Sequence, residues 1–125
     1  MITGNVTDSR EAVISLAVRG PSEREATLDV VIDTGFDGWL SLPPGTIAAL
    51  GLNWRRRGRA QLADGSTTIF DIYEGMVLWD GASCRVPIDE ADTTPLVGMA
   101  LLEGFELNMQ VREGGKVKIK RLRKS

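Results

Sequence analysis

The sequence predicts a mainly β chain, a small sandwich or barrel with two short helices. Three observations carry this expectation. Apolar residues alternate with polar ones over short runs, the period of a strand with one buried face. Turn residues break these runs at intervals of about 8–12 residues. Only two segments have helical character, and each stops at a glycine, Gly51 and Gly104. The 125 residues fit one domain spanning 1–125. A chain of this size buries roughly two-thirds of its unfolded surface, so it builds a core without covalent staples.

Taken in order, Glu11–Val18 is the first strand, with Val13, Ile14, Leu16 and Val18 as its apolar residues. Gly20-Pro21 then turns the chain, and Glu23, Arg24 and Glu25 suit a solvated hairpin tip. Thr27–Asp33 follows as a strand with Leu28, Val30 and Ile32 on one face. Trp39–Leu42 is a further apolar strand ended by Pro43-Pro44. A helix starts at Pro44 or Gly45 and ends before Gly51, with proline at the start and glycine past the end. Arg59–Ala63 and Thr67–Tyr73 pair across Asp64-Gly65, a strong hairpin signal. Strands are expected again at Gly75–Trp79 and Cys84–Ile88, then a short helix over Met99–Glu103. Glu106–Arg112 and Lys116–Leu122 close the chain as a strand pair around Gly114-Gly115.

Composition narrows the chemistry. The sequence contains no histidine, which removes Ser-His-Asp and Cys-His catalysis and imidazole zinc sites. The single cysteine, Cys84, cannot form an internal disulfide or a cysteine cluster, and it reads as reduced and half-buried. Fifteen basic and seventeen acidic residues give a formal charge of -2, so nothing general points to nucleic acid or membrane. No apolar run approaches the ~20 residues of a membrane span, and Met1–Arg10 is polar without a secretory layout. The expectation is a soluble cytoplasmic protein that needs no cofactor or metal.

Carboxylates, hydroxyls and glycines remain for chemistry. Asp33-Thr34-Gly35 follows the apolar run Val30-Val31-Ile32. A carboxylate at the end of a buried strand needs hydrogen-bond partners. Thr34 can supply a hydroxyl, and Gly35 lets another backbone come close. The same triplet also fits a strand-ending aspartate that caps a turn. Further along, Pro95-Leu96-Val97-Gly98 sets two apolar residues before a glycine, just ahead of the second helix.

On these residues the chain resembles the retropepsin-like aspartic proteases, and it is most similar to a bacterial branch reading Asp-Thr-Gly-Phe, here Asp33-Thr34-Gly35-Phe36. Leu96-Val97-Gly98 is similar to the segment that packs beside the catalytic loop in that family. The Asp64-Gly65 hairpin falls between the two motifs, where the family carries its flap. The resemblance extends over about residues 11–120 and implies a small closed β-barrel of the retropepsin (acid protease) type.

The resemblance also implies roles. Asp33 corresponds to the catalytic carboxylate, with Thr34 bracing the loops across a dimer and Gly35 lying where substrate backbone passes. One Asp-Thr-Gly per chain implies a homodimer that brings two copies of Asp33 together. Such a pair shares a proton and activates water for hydrolysis of a peptide or protein substrate. Phe36, Asp37, Leu96, Val97 and Gly98 would line the substrate cleft, and the hairpin with Ala63, Asp64 and Gly65 at its tip would close over it. Asp37 reads equally as a turn residue in Asp37-Gly38.

Two residues depart from the family pattern. Phe36 stands where most members carry Ala or Ser, and Met99 stands where retroviral members carry arginine. These departures support a second reading, a peptide-binding or scaffold module that keeps the fold without hydrolysis. The basic tail Lys116–Lys124 alternates with Val117 and Ile119 and suits a lysine-protected edge strand. In the family the chain ends help build the dimer sheet, so its apolar face has a second possible use there. Arg55-Arg56-Arg57 suits a solvated loop or strand start, and Trp39, Trp54 and Trp79 suit core or interface anchors. A third reading, an RNA-associated β domain, would need salt-dependent binding.

Overall fold

The structure is a computed structural model and describes residues 1–123, so Lys124 of the basic tail lies outside the described residues. Six strands close into a barrel: β2 (Ala12–Arg19), β3 (Glu25–Ile32), β4 (Leu40–Leu42), β6 (Thr67–Trp79), β7 (Ala82–Glu90) and β8 (Leu96–Val97). Around the ring they run β2-β3-β8-β4-β7-β6, and β6 returns to β2 through Val18↔Val77 and Arg19↔Met76. The mainly β expectation and the closed barrel hold. Two parallel pairings, β3 with β8 and β4 with β7, fix the ends of four strands at one point of the barrel.

Alternation explains the core. In β2, Ala12, Ile14, Leu16 and Val18 point inward and their neighbours outward. Val30 and Ile32 of β3, Leu40 and Leu42 of β4, Val86 and Ile88 of β7 and Val97 of β8 fill the same interior. Two helices cover it. Helix α1 (Pro44–Leu50) buries Ile47 and Leu50 and ends in left-handed Gly51, and α2 (Met99–Leu102) buries Leu101 and Leu102. Among the described residues no helix is long and apolar enough to cross a membrane.

Outside the ring, β1 (Ile2–Val6), β10 (Lys116–Arg121) and β9 (Phe105–Met109) extend the sheet from β2 in that order. The polar N-terminus therefore forms a strand, which its sequence does not announce. Thr3, Gly4 and Asn5 offer no apolar side chain, but pairing with β10 holds all three, pairing with β2 also holds Gly4 and Asn5, and Val6 is buried. Strand β10 is flanked by β1 and β9, so its lysines line the solvent face of an interior strand and not an edge. Val117 and Ile119, fully buried, face the chain's own core and are not open to another subunit. Trp79 is a core residue set edge-on to Phe105 at 5.8 Å, whereas Trp39 and Trp54 are exposed.

Strand β5 (Asn53–Gln61) pairs with the outer length of β6 as a projecting hairpin. The arginine run lies in β5, and two of its guanidiniums pair with the neighbouring strand, Arg55 with Glu74 at 3.3 Å and Arg57 with Asp71 at 3.7 Å. β6 is continuous where the sequence suggests a break at Gly75. A Cβ there would lie 2.8 Å from Ile88 Cδ1, so this glycine lets β6 pass close over the core on its way to closing the barrel. Cys84 is half-buried on β7, as expected.

Candidate active site

β3 delivers Asp33 to the point where β8 pairs alongside. The Asp33 N–H donates to Val97 O at 2.9 Å, and the chain then turns. Asp33 Oδ1 accepts the Gly35 N–H at 2.9 Å, and Phe36 N–H donates to Asp33 O at 3.1 Å. Asp33 thus caps its own turn through one oxygen, and the half-buried carboxylate still lines a cleft.

The loop after Asp33 is held by the start of α2. Met99 N–H donates to Phe36 O at 2.8 Å, Ala100 N–H to Gly38 O at 3.0 Å, and Gly98 N–H to Trp39 O at 3.1 Å. This approach is possible only because residue 98 is glycine. A Cβ there would sit 2.7 Å from Phe36 O and would collide with the carbonyl of Gly38. The Phe36 ring packs onto Gly38 and Gly98, which accommodates a bulky side chain after the triplet.

The cleft has a volume of about 900 Å³ and opens between this loop and the β5–β6 hairpin. Of the residues that the sequence reading singles out, Asp33, Gly35, Phe36, Asp37 and Leu96 line it. Other expected residues lie elsewhere. Thr34 is exposed at the tip of the Asp33 turn and does not line the cleft, while Val97 and Gly98 are buried behind the loop. Ala63, Asp64 and Gly65 are exposed at the hairpin tip, beyond the cleft wall. The tip is closed by Gly65 N–H to Leu62 O at 2.9 Å and by Asp64 Oδ1, which accepts from Ser66. Those Ser66 bonds hold the Asp64 carboxyl below its ordinary range. The hairpin wall is instead its stem, with Arg59, Ile69 and Phe70 prominent. This displacement has a plain cause: a projecting hairpin covers the barrel with its stem, and its tip overshoots the cleft.

Among the cleft residues outside the motif-based reading are the polar Ser41, Asp89 and Glu90. Asp89 shares the signal that marks Asp33, a carboxylate after an apolar run, here Val86-Pro87-Ile88. Burial pushes the Asp89 carboxyl up, Arg56 opposes the shift, and the nearby Asp37 charge adds to it. Among the described residues no group of three or more Asp, Glu or Cys comes together as a metal cage.

Comparison with known structures defines the fold class. A retropepsin-like aspartic protease from Rickettsia conorii superposes with a TM-score of 0.58 at 13% identity, over 98% of this chain and 91% of that one. EIAV protease in complex with an inhibitor gives a TM-score of 0.53 at 14% identity, over 74% of this chain and 86% of the other. No family model matches the sequence, and no curated protein matches it either. The architecture is that of the retropepsin-like aspartic proteases, and at these identities the likeness is one of fold.

Proposed function

We propose that the protein is an aspartic endopeptidase that works as a homodimer, with Asp33 of each protomer forming one catalytic pair. The observation that carries this reading is the Asp33 carboxylate itself, set at the end of a barrel strand and lining the cleft beneath the hairpin. Two adjacent carboxylates cannot both ionise cheaply, so they hold one proton between them. The ionised partner takes a proton from a trapped water, and the water oxygen attacks the peptide carbonyl carbon. The protonated partner gives its proton to the carbonyl oxygen. The resulting gem-diol collapses, the C–N bond breaks, and the amine leaves with a proton from the pair. An extended peptide would lie between the Asp33 loop and the hairpin stem, held partly by strand-type hydrogen bonds.

The face beside Asp33 supports a second copy as the missing half of the site. A second groove that also includes Asp33 is lined by Met109 and Val111, both exposed and apolar. Thr34 stands exposed on the same turn, free to reach across. Peptide cleavage should be strongest in mildly acidic solution and should fall by at least about 1,000-fold in Asp33→Asn. Cleavage that survives the substitution would sink the assignment.

One observation favours the second reading, a peptide-binding module without hydrolysis. Met99 is exposed beside the loop, so no cation at that position braces the pair. A protein that binds extended peptides yet stays monomeric and cleaves none at any pH would be that module.

A further inference from the structure

At the Asp37 end of the cleft, polar groups converge without partners. Ser41 is 97% buried, with 3% of its surface exposed, yet its Oγ makes no hydrogen bond. β4 sets Ser41 in register with Asp89 on one side and Leu96 on the other. Leu40, Ile88 and Val97 fill the barrel, so the alternating neighbours Ser41, Asp89 and Leu96 face away from the core, and all three line the cleft. Asp89 is half-buried, and its Oδ2 lies close to Gly38, one residue from Asp37. Neither the Asp37 nor the Asp89 carboxylate forms an ion pair or hydrogen bond with another described residue. Arg56 influences Asp89 through space, and Arg59 borders the cleft from the hairpin, but neither is paired with these carboxylates.

We infer that Ser41, Asp37 and Asp89 form a subsite for a positively charged side chain, lysine or arginine, of the bound peptide. The chemistry favours a cation over a neutral group. The Asp37 and Asp89 carboxylates supply acceptors, the Ser41 hydroxyl can turn to accept as well, and Glu90 adds a further carboxylate nearby. A guanidinium or ammonium carries several donors and satisfies this set, whereas an apolar side chain would leave it unpaired. Asp37 is exposed to water, but buried Ser41 and half-buried Asp89 are costly to leave without partners, which sets the preference. The inference rests on the cleft being the peptide site, and it adds selectivity to that site.

The test uses peptide pairs that differ only by lysine against norleucine, or arginine against citrulline, at positions near the cleaved bond. The wild-type protein should prefer the charged member at one position, and Asp89→Asn should cut that ratio of kcat/KM by at least about tenfold. Ser41→Ala serves as the second variant, small enough to fold, and should also lower the ratio. Equal cleavage of both members, or an unchanged ratio in Asp89→Asn, would overturn the subsite while leaving the protease intact. If no peptide is cleaved, binding of the same pairs is followed by NMR. A charge preference that Asp89→Asn abolishes would keep the subsite while the protease reading falls, and no preference would overturn the subsite.

Discussion

Asp33 and Gly98 depend on each other through backbone. The aspartate is placed by its ladder bond to Val97, and the loop after it is pinned by three bonds from residues 98–100. A methyl group at position 98 would push on two carbonyl groups that have nowhere to move. Gly98→Ala should therefore cost about 2–4 kcal/mol of stability, read as a lower urea midpoint, with loss of the cleft geometry. Asp89 gives a prediction of opposite sign. Its folded carboxyl titrates above the ordinary 3.8, mainly because of burial. The folded state then binds the proton more tightly than the unfolded one, so stability falls as pH rises through the raised value. Asp89→Asn should stabilise the protein at neutral pH, and the gain should fade as pH drops through 3.8. A gain that grows in acid would show that the charge is well paired in the fold. Asp33 is legible in the sequence because a carboxylate ends an apolar run. Ser41 is not, because its burial arises from β7 and β8 flanking a three-residue strand, and no local pattern encodes those neighbours.

At the scale of elements, strands with one buried face are legible and those held by pairing alone are not. β2 and β10 show clean alternation and form where the sequence predicts strands, although β10 lies inside the sheet and not at its edge. β1 has no apolar side chain between Ile2 and Val6, and β8 has two residues, so each exists through its partners. Gly75 misleads for a related reason: glycine weakens a strand interior, but here it allows a close crossing. The β5–β6 hairpin combines both cases. Its turn is written in Asp64-Gly65, but the length of stem over the cleft follows from β6 running on to the barrel closure. Residues Leu62–Ser66 are all exposed, whereas β2 buries alternate side chains and is paired on both sides. Hydrogen exchange should be at least about 100-fold faster at the hairpin tip than in β2. Comparable protection would mean that the tip is covered, most simply by a second copy.

For the whole molecule, the closed six-strand ring carries the Asp33 loop, and the stem of the projecting hairpin forms the facing wall of the cleft. Each chain supplies one Asp33 where the proposed chemistry needs two. The most direct measurement mixes wild-type protein with Asp33→Asn at constant total concentration, allows the protomers to exchange, and follows cleavage of a peptide in mildly acidic solution. If each site is built from two Asp33 carboxylates, an equal mixture retains about one quarter of the wild-type activity, because only about one pairing in four has both. Retention of about half would show that each protomer acts alone, and would contradict the shared pair.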